Sequence, residues 1–184
     1  MITKTILKIS FSTILQCHNK YKDDWGEFMS TILFVCLGNI CRSPLAEGIF
    51  REKLKQHSLD GDFHLDSAAI KGYHVGKSPD KRAMMMAKIN EYDISNLRAR
   101  EITVSDFEKF DLIIGMDKKN IESLKDISPL IYHYKIKLML DDYAPSLGLS
   151  ELADPYKGNL NDFQTTIDHL EIACENLLKE FLEL

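Results

Sequence analysis

The chain has 184 residues, enough for one domain with a sizeable core, and its shares of hydrophobic (45%) and charged (28%) residues are ordinary for a globular protein. The formal net charge of -5 argues against a nucleic-acid partner, because the attraction to a phosphate backbone would be missing. No apolar run reaches the roughly 18–20 residues that span a bilayer, so we expect no membrane partner.

The start of the chain differs from the rest. Residues 6–15 are apolar and follow Lys4, as in a signal peptide, but no small-residue cleavage site follows them. We predict that residues 29–184 form the domain. Residues 1–28 are then an N-terminal extension, either disordered or translated from an upstream start.

From residue 31 onward, apolar runs alternate with helical patterns. Residues 31–37 are nearly all apolar, as in a central parallel strand covered on both faces. Ser43 and Pro44 are typical of the N-cap and first position of a helix. The buried face of that helix is predicted to contain Leu45, Ile49 and Leu54.

The same alternation continues along the chain. Further strands are predicted at residues 63–69, 111–116 and 135–140, with helices from Ser78-Pro79 to about Asn90 and from about Lys118 onward. This order predicts a single-domain α/β fold, a doubly wound four-stranded parallel sheet with helices on both faces. In such folds, ligands bind beyond the carboxyl ends of the strands, at the switch point.

The last predicted helix, residues 161–182, has the clearest periodicity. Three- and four-residue steps place one apolar set on one face: Phe163, Ile167, Leu170, Cys174, Leu177 and Phe181. Cys174 is therefore expected to be a buried packing residue and not a reactive thiol.

The segment between the first strand and the first helix has the composition of a phosphate-binding loop. It reads Cys36-Leu37-Gly38-Asn39-Ile40-Cys41-Arg42-Ser43. A strand-to-helix turn directs backbone N–H groups to one point, where the helix N-terminus adds positive potential. Gly38 and Asn39 tolerate the unusual backbone angles of such a nest, and Arg42 can bind two phosphate oxygens with its planar guanidinium.

Cys36, at the start of the loop, is the expected nucleophile. The loop amides, Arg42 and the helix end favour its thiolate, and Ser43 can donate its hydroxyl to the sulfur. A Cys-x5-Arg spacing alone also occurs by chance, and a cysteine in a strand is usually structural. The full string, between a strand and a helix start, favours phosphate chemistry.

The other cysteines and the histidines indicate no disulfide scaffold and no metal site. The spacing of the four cysteines is not that of a disulfide-rich secreted protein, and the six histidines show no metal-ligand pattern. We therefore predict a cytoplasmic protein without metal or cofactor.

Residues 33–47 resemble the active-site motif of the low-molecular-weight protein tyrosine phosphatases. The resemblance continues through Asp66-Ser67, residues 75–83, residues 110–117 and residues 154–158, in the family's order. It implies hydrolysis of phosphotyrosine monoesters through a phosphocysteine on Cys36, by a phosphatase domain at residues 29–184. The implied substrate is a phosphotyrosine-containing protein or a small aryl phosphate, and we expect a monomer or a weak dimer.

The resemblance also implies roles for residues near the cleft. Asp154 would be the general acid that protonates the leaving group and then activates water. Tyr73 and Tyr156 would be the aromatic walls of the cleft. Lys157, where some members have a second aromatic residue, would favour acidic peptides.

The loop itself would be supported from behind. Backbone groups of Leu37, Gly38, Ile40 and Cys41 would bind phosphate, while Asn39, Ser43 and Ser67 would hold the loop by hydrogen bonds. Asp117 would have a supporting role. Leu97 departs from the family pattern because many relatives have a histidine there, so support of the loop must differ.

Three alternative functions are less consistent with the residues. Arsenate reductases of this fold use two further cysteines in mid-chain, and none lies between Cys41 and Cys174. Protein-arginine phosphatases carry threonine at the position of Ile40. A phosphate-binding adaptor predicts a missing nucleophile or acid, whereas Cys36 and Asp154 are both present.

Two interpretations of Cys41 stay open. It is either the partner of Cys36 in a reversible disulfide that protects the nucleophile from over-oxidation, or a packing residue at the end of the loop.

Overall fold

The computed structural model describes residues 21–22 and 28–182. Strand β1 (Tyr21–Lys22) pairs antiparallel with the start of β2 (Phe28–Cys36), which contains all of the predicted first strand except Leu37. The predicted extension otherwise lies outside the described residues, and its interpretation stays a prediction. Among the described helices, none is both long and apolar enough to cross a bilayer.

Four parallel strands form the centre of the sheet, in the order β3 (Phe63–Ala69), β2, β4 (Leu112–Gly115) and β5 (Ile136–Leu138). This arrangement confirms the predicted four-stranded parallel sheet. The predicted fourth strand was too long, because a helix begins at Met139 directly after Leu138.

The central strand β2 contributes to both cores, as its continuous apolar sequence requires. Ile32 and Phe34 face one core, Leu33 and Val35 face the other, and all four are fully buried. The sequence of a parallel strand that is covered on both faces is typically an uninterrupted hydrophobic run.

The described helices are α1 (Arg42–Gln56), α2 (Lys81–Ile89), α3 (Asp106–Lys109), α4 (Lys118–Ile127), α5 (Met139–Tyr143) and α6 (Leu160–Leu182). Residues of α1, α2, α5 and α6 line one core, and residues of α3 and α4 line the other. Since α1 leads out of β2 on one face and α3 leads into β4 on the other, the carboxyl ends of β2 and β4 lie at the switch point.

The first Ser-Pro prediction was wrong in its details. Helix α1 starts at Arg42 with Cys41 as its N-cap residue, so Ser43 and Pro44 lie within the first turn. Proline is tolerated there because the first N–H groups of a helix have no intrahelical partner. The Ser43 side chain does not cap the helix, because its hydroxyl is used within the loop.

The second Ser-Pro pair does not start a helix either. Helix α2 begins at Lys81, and its N-cap is Asp80, whose carboxylate accepts a hydrogen bond from Arg82 N at 2.8 Å. Aspartate is as good an N-cap residue as serine, because its side-chain oxygen accepts a hydrogen bond from a backbone N–H in the first turn. The sequence pattern therefore identified the right region and the wrong cap.

The last helix is confirmed, with Phe163, Ile167, Leu170, Cys174 and Leu177 fully buried. Phe181, the sixth residue of the predicted face, is only partly buried and packs against the same core. Burial raises the pKa of the Cys174 thiol well above its ordinary value. Cys174 is thus a packing residue, as its position on the apolar face predicted.

Candidate active site

The predicted phosphate-binding loop lies at the carboxyl end of β2. Cys36 is the last residue of that strand, residues 37–41 form the turn, and Arg42 is the first residue of α1. Asn39 has a φ of +54°, in the left-handed region that few residues other than glycine and asparagine adopt. This backbone reversal turns the chain from the strand into the helix.

Gly38 leaves little room for a side chain, and its backbone angle is not unusual, because its φ is outside the left-handed region. A Cβ at Gly38 would lie 3.1 Å from Cδ2 of His74. The imidazole therefore packs directly on the loop backbone. His74 was missed by the sequence reasoning, although its neighbour Tyr73 was predicted to line the cleft.

Cys36 is buried, with 3% of the residue exposed, and its sulfur has two polar neighbours. Its Sγ lies 3.1 Å from the Ser43 hydroxyl and accepts a hydrogen bond from Asn39 N at 3.3 Å. Donors at these positions stabilise a thiolate more than a thiol.

The Asn39 side chain fixes the direction of the hydrogen bonds behind the loop. Its Oδ1 accepts from the backbone N–H of Arg100 at 3.0 Å, so Nδ2 must be the donor to both hydroxyls that it contacts. These hydroxyls are Ser43 Oγ and Ser67 Oγ, each at 2.9 Å. Since Ser43 Oγ accepts from Asn39, its own hydrogen is available to point at the Cys36 sulfur.

Arg42 is buried and held by groups at one edge of its guanidinium. Nη1 donates to Asp117 Oδ2 at 2.7 Å and to the Leu152 carbonyl at 3.0 Å, and Nη2 donates to Asp154 Oδ2 at 3.2 Å. Burial opposes its charge, but the nearby Cys36, Asp154 and Asp117 raise the pKa of Arg42 above its ordinary value. Nε is buried and has no hydrogen-bond partner among the described residues.

Asp154 lies at the start of a short 3₁₀ turn (Pro155–Lys157), opposite the loop. Its Oδ1 accepts from Tyr156 N at 3.2 Å, and its side chain is 44% exposed. The carboxyl is thus oriented by the turn but open to solvent, as a group that exchanges protons with substrate and water must be.

A pocket of about 390 Å³ brings most of the predicted residues together. Its lining comprises Cys36, Leu37, Gly38, Ile40, Cys41, Arg42, Tyr73, His74, Asp154 and Tyr156. Tyr73 (69%) and Tyr156 (49%) are strongly exposed at its rim. Lys157 is exposed but outside the lining, and the side chains of Asn39, Ser43 and Ser67 are buried.

The comparisons with known proteins agree on one family. The model of the low molecular weight phosphotyrosine protein phosphatase family matches residues 31–183. The chain belongs to this family. Its membership confirms the resemblance found in the sequence and the expectation of an enzyme of the protein-tyrosine-phosphatase class.

Individual relatives are similar over most of their length. The low molecular weight phosphotyrosine protein phosphatase of Gallus gallus is 39% identical over 159 residues, which cover 86% of this chain and 96% of the relative. The crystal structure of YfkJ from Bacillus subtilis is 35% identical with a TM-score of 0.80, covering 85% of this chain and 97% of that one.

A third similar protein is known with an occupied pocket. The crystal structure of protein tyrosine phosphatase from Entamoeba histolytica, with Hepes in the active site, is 39% identical with a TM-score of 0.80. The alignment covers 84% of this chain and 97% of that chain. These similarities confirm the doubly wound phosphatase fold.

This family member supports its loop without a histidine at position 97. Leu97 is partly buried and packs against the larger core. The amide oxygen of Asn39 accepts a hydrogen bond from the backbone N–H of Arg100. The guanidinium of Arg100 is held in turn by Asp66 and Asp106, at 2.8 and 2.9 Å.

Cys41 differs from Cys36 in its surroundings. It is 4% exposed, and burial raises the pKa of its thiol, with Asp80 and Cys36 adding to the rise. Cys36 and Cys41 are both free thiols in this structure. The protective disulfide stays a prediction.

Across residues 29–182, no three His, Cys, Asp or Glu side chains form a group that could hold a metal ion.

Proposed function

We propose that the protein hydrolyses phosphotyrosine monoesters through a phosphocysteine intermediate on Cys36. The observation that carries this proposal is the convergence of the Cys36 sulfur, Arg42 and Asp154 on one pocket. A nucleophile, an anion-binding group and an acid are the parts that phosphate-ester cleavage through a covalent intermediate requires. The family to which the chain belongs supports the same reaction.

In the first step, the substrate's phosphoryl group binds between the loop amides and Arg42. The Arg42 guanidinium then binds two phosphate oxygens in the paired geometry that this group prefers. The Cys36 thiolate attacks phosphorus, a phosphorus–sulfur bond forms, and the ester phosphorus–oxygen bond breaks. Protonated Asp154 gives its proton to the departing phenolate oxygen, and tyrosine is released.

In the second step, the Asp154 carboxylate takes a proton from water as the water oxygen attacks phosphorus. The phosphorus–sulfur bond breaks, inorganic phosphate leaves, and the thiolate of Cys36 is restored. The Ser43 hydroxyl, 3.1 Å from the sulfur, stabilises the thiolate as it leaves. Asp154 ends the cycle protonated, ready for the next substrate.

The pocket walls favour an aryl ester over an alkyl ester. The side chains of Tyr73 and Tyr156 are strongly exposed at the rim of the pocket. Leu37 and Ile40 add apolar surface to its lining. An aromatic ring inserted between them gains stacking and apolar burial that a phosphoserine side chain cannot. We therefore propose a phosphotyrosine-containing protein or a small aryl phosphate as substrate.

The test is release of inorganic phosphate from matched phosphotyrosine, phosphoserine and phosphoarginine peptides in the presence of a metal chelator. We expect turnover of the phosphotyrosine peptide by the wild type and none by Cys36→Ser. Full activity in Cys36→Ser, or a preference for phosphoarginine, would refute the proposal.

A further inference from the structure

An ion pair at the start of α2 lies between the phosphate-binding loop and the turn that carries Asp154. The Asp80 carboxylate accepts hydrogen bonds from Arg82 Nε at 3.0 Å and from Arg82 Nη2 at 2.9 Å. Two parallel bonds of this kind fix the orientation of the guanidinium plane. The pair is partly shielded from solvent, with 15% of the Asp80 side chain and 33% of the Arg82 side chain exposed.

On one side, the ion pair is attached to the phosphate-binding loop. The backbone N–H of Asp80 donates to the Ile40 carbonyl at 2.8 Å. Ile40 belongs to the loop between Cys36 and Arg42 and lines the pocket. The position of Asp80 is therefore fixed relative to the loop.

On the other side, Arg82 binds the turn at Pro155–Lys157. Its Nη1 donates to the Gly158 carbonyl at 2.8 Å, and its Nη2 donates to the Tyr156 carbonyl at 2.9 Å. The guanidinium carbon also lies 5.9 Å from the ring centre of Tyr156 and 4.8 Å from that of Phe163. A cation at such distances from an aromatic ring is stabilised by it. Arg82 thus contacts the turn through its backbone and through an aromatic side chain.

We propose that Arg82 is a positioning residue for the general acid: its guanidinium holds the turn so that Asp154 stays opposite the phosphate-binding loop. The inference rests on the proposed function, in which Asp154 is the acid. Arg82 is not among the residues that line the pocket, so it acts on the reaction only through the turn.

The backbone of Tyr156 connects Arg82 to the acid. The Tyr156 carbonyl accepts from Arg82, and the Tyr156 N–H donates to Asp154 Oδ1 at 3.2 Å. A shift of this backbone would therefore move the hydrogen bond that orients the acid. It would also move the Tyr156 ring at the rim of the pocket.

A different anchor holds the chain before the acid. The N–H of Leu152 donates to the Met116 carbonyl at 2.8 Å, and the Leu152 carbonyl accepts from Arg42 Nη1 at 3.0 Å. Arg42 also donates to Asp154 at 3.2 Å, but in the proposed reaction it binds phosphate oxygens as well. Arg82 has no such second role, so its hold on the turn does not compete with the substrate.

Arg82→Met tests the proposal because it removes the hydrogen-bond donors and keeps an unbranched side chain. Arg98→Met is the matched control. Arg98 also donates to two backbone carbonyls, those of Ser95 and Leu97, at 2.8 and 2.7 Å. It is exposed and lies outside the pocket lining, and its replacement removes the same charge.

The kinetic measurement is the pre-steady-state burst with phenyl phosphate and with dinitrophenyl phosphate. For Arg82→Met, the burst rate with phenyl phosphate should fall about tenfold, because a displaced acid protonates the leaving group less effectively. The burst rate with dinitrophenyl phosphate should change little, because that leaving group departs without protonation. The loss of a positive charge near the pocket would instead slow both esters alike.

A double-mutant cycle with Asp154→Asn shows whether Arg82 acts through the acid. In the Asp154→Asn protein no proton donor is left to position, so adding Arg82→Met should slow the burst with phenyl phosphate little further. Arg98→Met should resemble the wild type with both esters.

Hydrogen exchange, followed by mass spectrometry on a peptide that covers residues 153–160, supplies a measurement that needs no turnover. Amides in this peptide should exchange faster in Arg82→Met than in the wild type, because the turn loses the bonds that keep it closed. In Arg98→Met the exchange of the same peptide should be unchanged.

Three results would overturn the proposal: unchanged exchange of this peptide in Arg82→Met, an equal loss of burst rate with both esters, or an additive loss in the double variant. If Arg82→Met does not fold, Arg82→Lys replaces it. Lysine keeps the charge, but its single nitrogen cannot reproduce the pairing with Asp80 together with both carbonyl bonds, so the same pattern must appear at smaller size. A wild type that hydrolyses neither ester would refute the proposed function, whereas the exchange result would still decide whether Arg82 holds the turn.

Discussion

The two sides of the loop at residues 36–43 use their polar groups in opposite ways. On the pocket side, Arg42 Nε has no partner among the described residues and the Asp154 side chain is 44% exposed. On the buried side, Asn39 uses its amide oxygen and both amide hydrogens in bonds to Arg100, Ser43 and Ser67. The Asp154 carboxyl on the pocket side is open to solvent, whereas the Asn39 amide on the buried side is fully used in holding the loop.

This difference predicts how changes on each side will act. Substitutions of exposed pocket-side residues such as Asp154 should alter the chemical step or substrate choice and leave stability almost unchanged. Substitutions on the buried side should act through the sulfur's surroundings, and buried polar groups left unpaired should also lower stability.

The largest effect is expected on the pocket side, at Asp154. Asp154→Asn removes the proton donor, so kcat for phenyl phosphate should fall by about 10²–10⁴-fold. Dinitrophenyl phosphate is the matched control, because its leaving group departs without protonation. With that substrate, the rate of the phosphorylation step should fall much less. This rate is measured as the pre-steady-state burst of the released phenol or dinitrophenol. An equal loss of burst rate with both esters would show that Asp154 is not the acid.

On the buried side, Ser43→Ala tests the hydrogen bond to the sulfur. Loss of that donor should lower kcat about tenfold, the scale of one buried hydrogen bond to a charged group. Ser128 provides the control, since its hydroxyl is buried but has no hydrogen-bond partner among the described residues. Ser128→Ala should retain both activity and stability. Similar activity losses in the two variants would mean that Ser43 has no special relation to Cys36.

Gly38 lies at the boundary of the two sides, and its substitution should have a moderate effect. The Cβ of Gly38→Ala would press on the His74 ring, so one of them must shift by a few tenths of an ångström. We expect a severalfold rise in KM for phenyl phosphate. Adding His74→Ala should restore KM, as a double-mutant cycle will show. Additive losses would contradict the contact as the cause.

The smallest effect is expected at Lys157, outside the pocket lining. Lys157→Glu should raise KM about two- to fivefold for phosphotyrosine peptides with acidic neighbours, the scale of one exposed charge pair. Turnover of phenyl phosphate, which carries no such neighbours, should not change. An equal effect on both substrates would contradict a role in peptide preference.

The sequence predicted the sheet and the strand-to-helix loop because both depend on local patterns, whereas Asp154, Tyr73 and Tyr156 were expected from the family resemblance. The apolar run of β2 and the string from Cys36 to Arg42 are contiguous, so their structure follows from neighbouring residues. Ser43 shows the limit of such reasoning. As a residue type it suits an N-cap, but its hydroxyl is drawn to Cys36 and Asn39, and tertiary contacts override the local preference.

Local patterns could not predict the buried side, because its contacts join distant parts of the chain; the hydrogen bonds among Asn39, Ser43 and Ser67 were expected only from the family resemblance. Asn39 meets Ser67 and the backbone of Arg100, which are 28 and 61 residues away. The identity of a residue does not predict which group its backbone N–H will bind. His74 was missed for a related reason, because its contact with Gly38 depends on how the segment after β3 folds back over the loop.

The central claim is that Cys36 carries the phosphoryl group, and acid quenching during turnover tests it most directly. Wild-type protein mixed with excess phenyl phosphate, quenched within milliseconds and digested, should yield a peptide with one phosphoryl group on Cys36 and none on Cys41. The Cys36→Ser protein should show no such adduct. The account would be contradicted if the wild-type enzyme turned over substrate with no phosphorylated Cys36 and the adduct were also missing from Asp154→Ala, in which breakdown of the phosphocysteine should be slower.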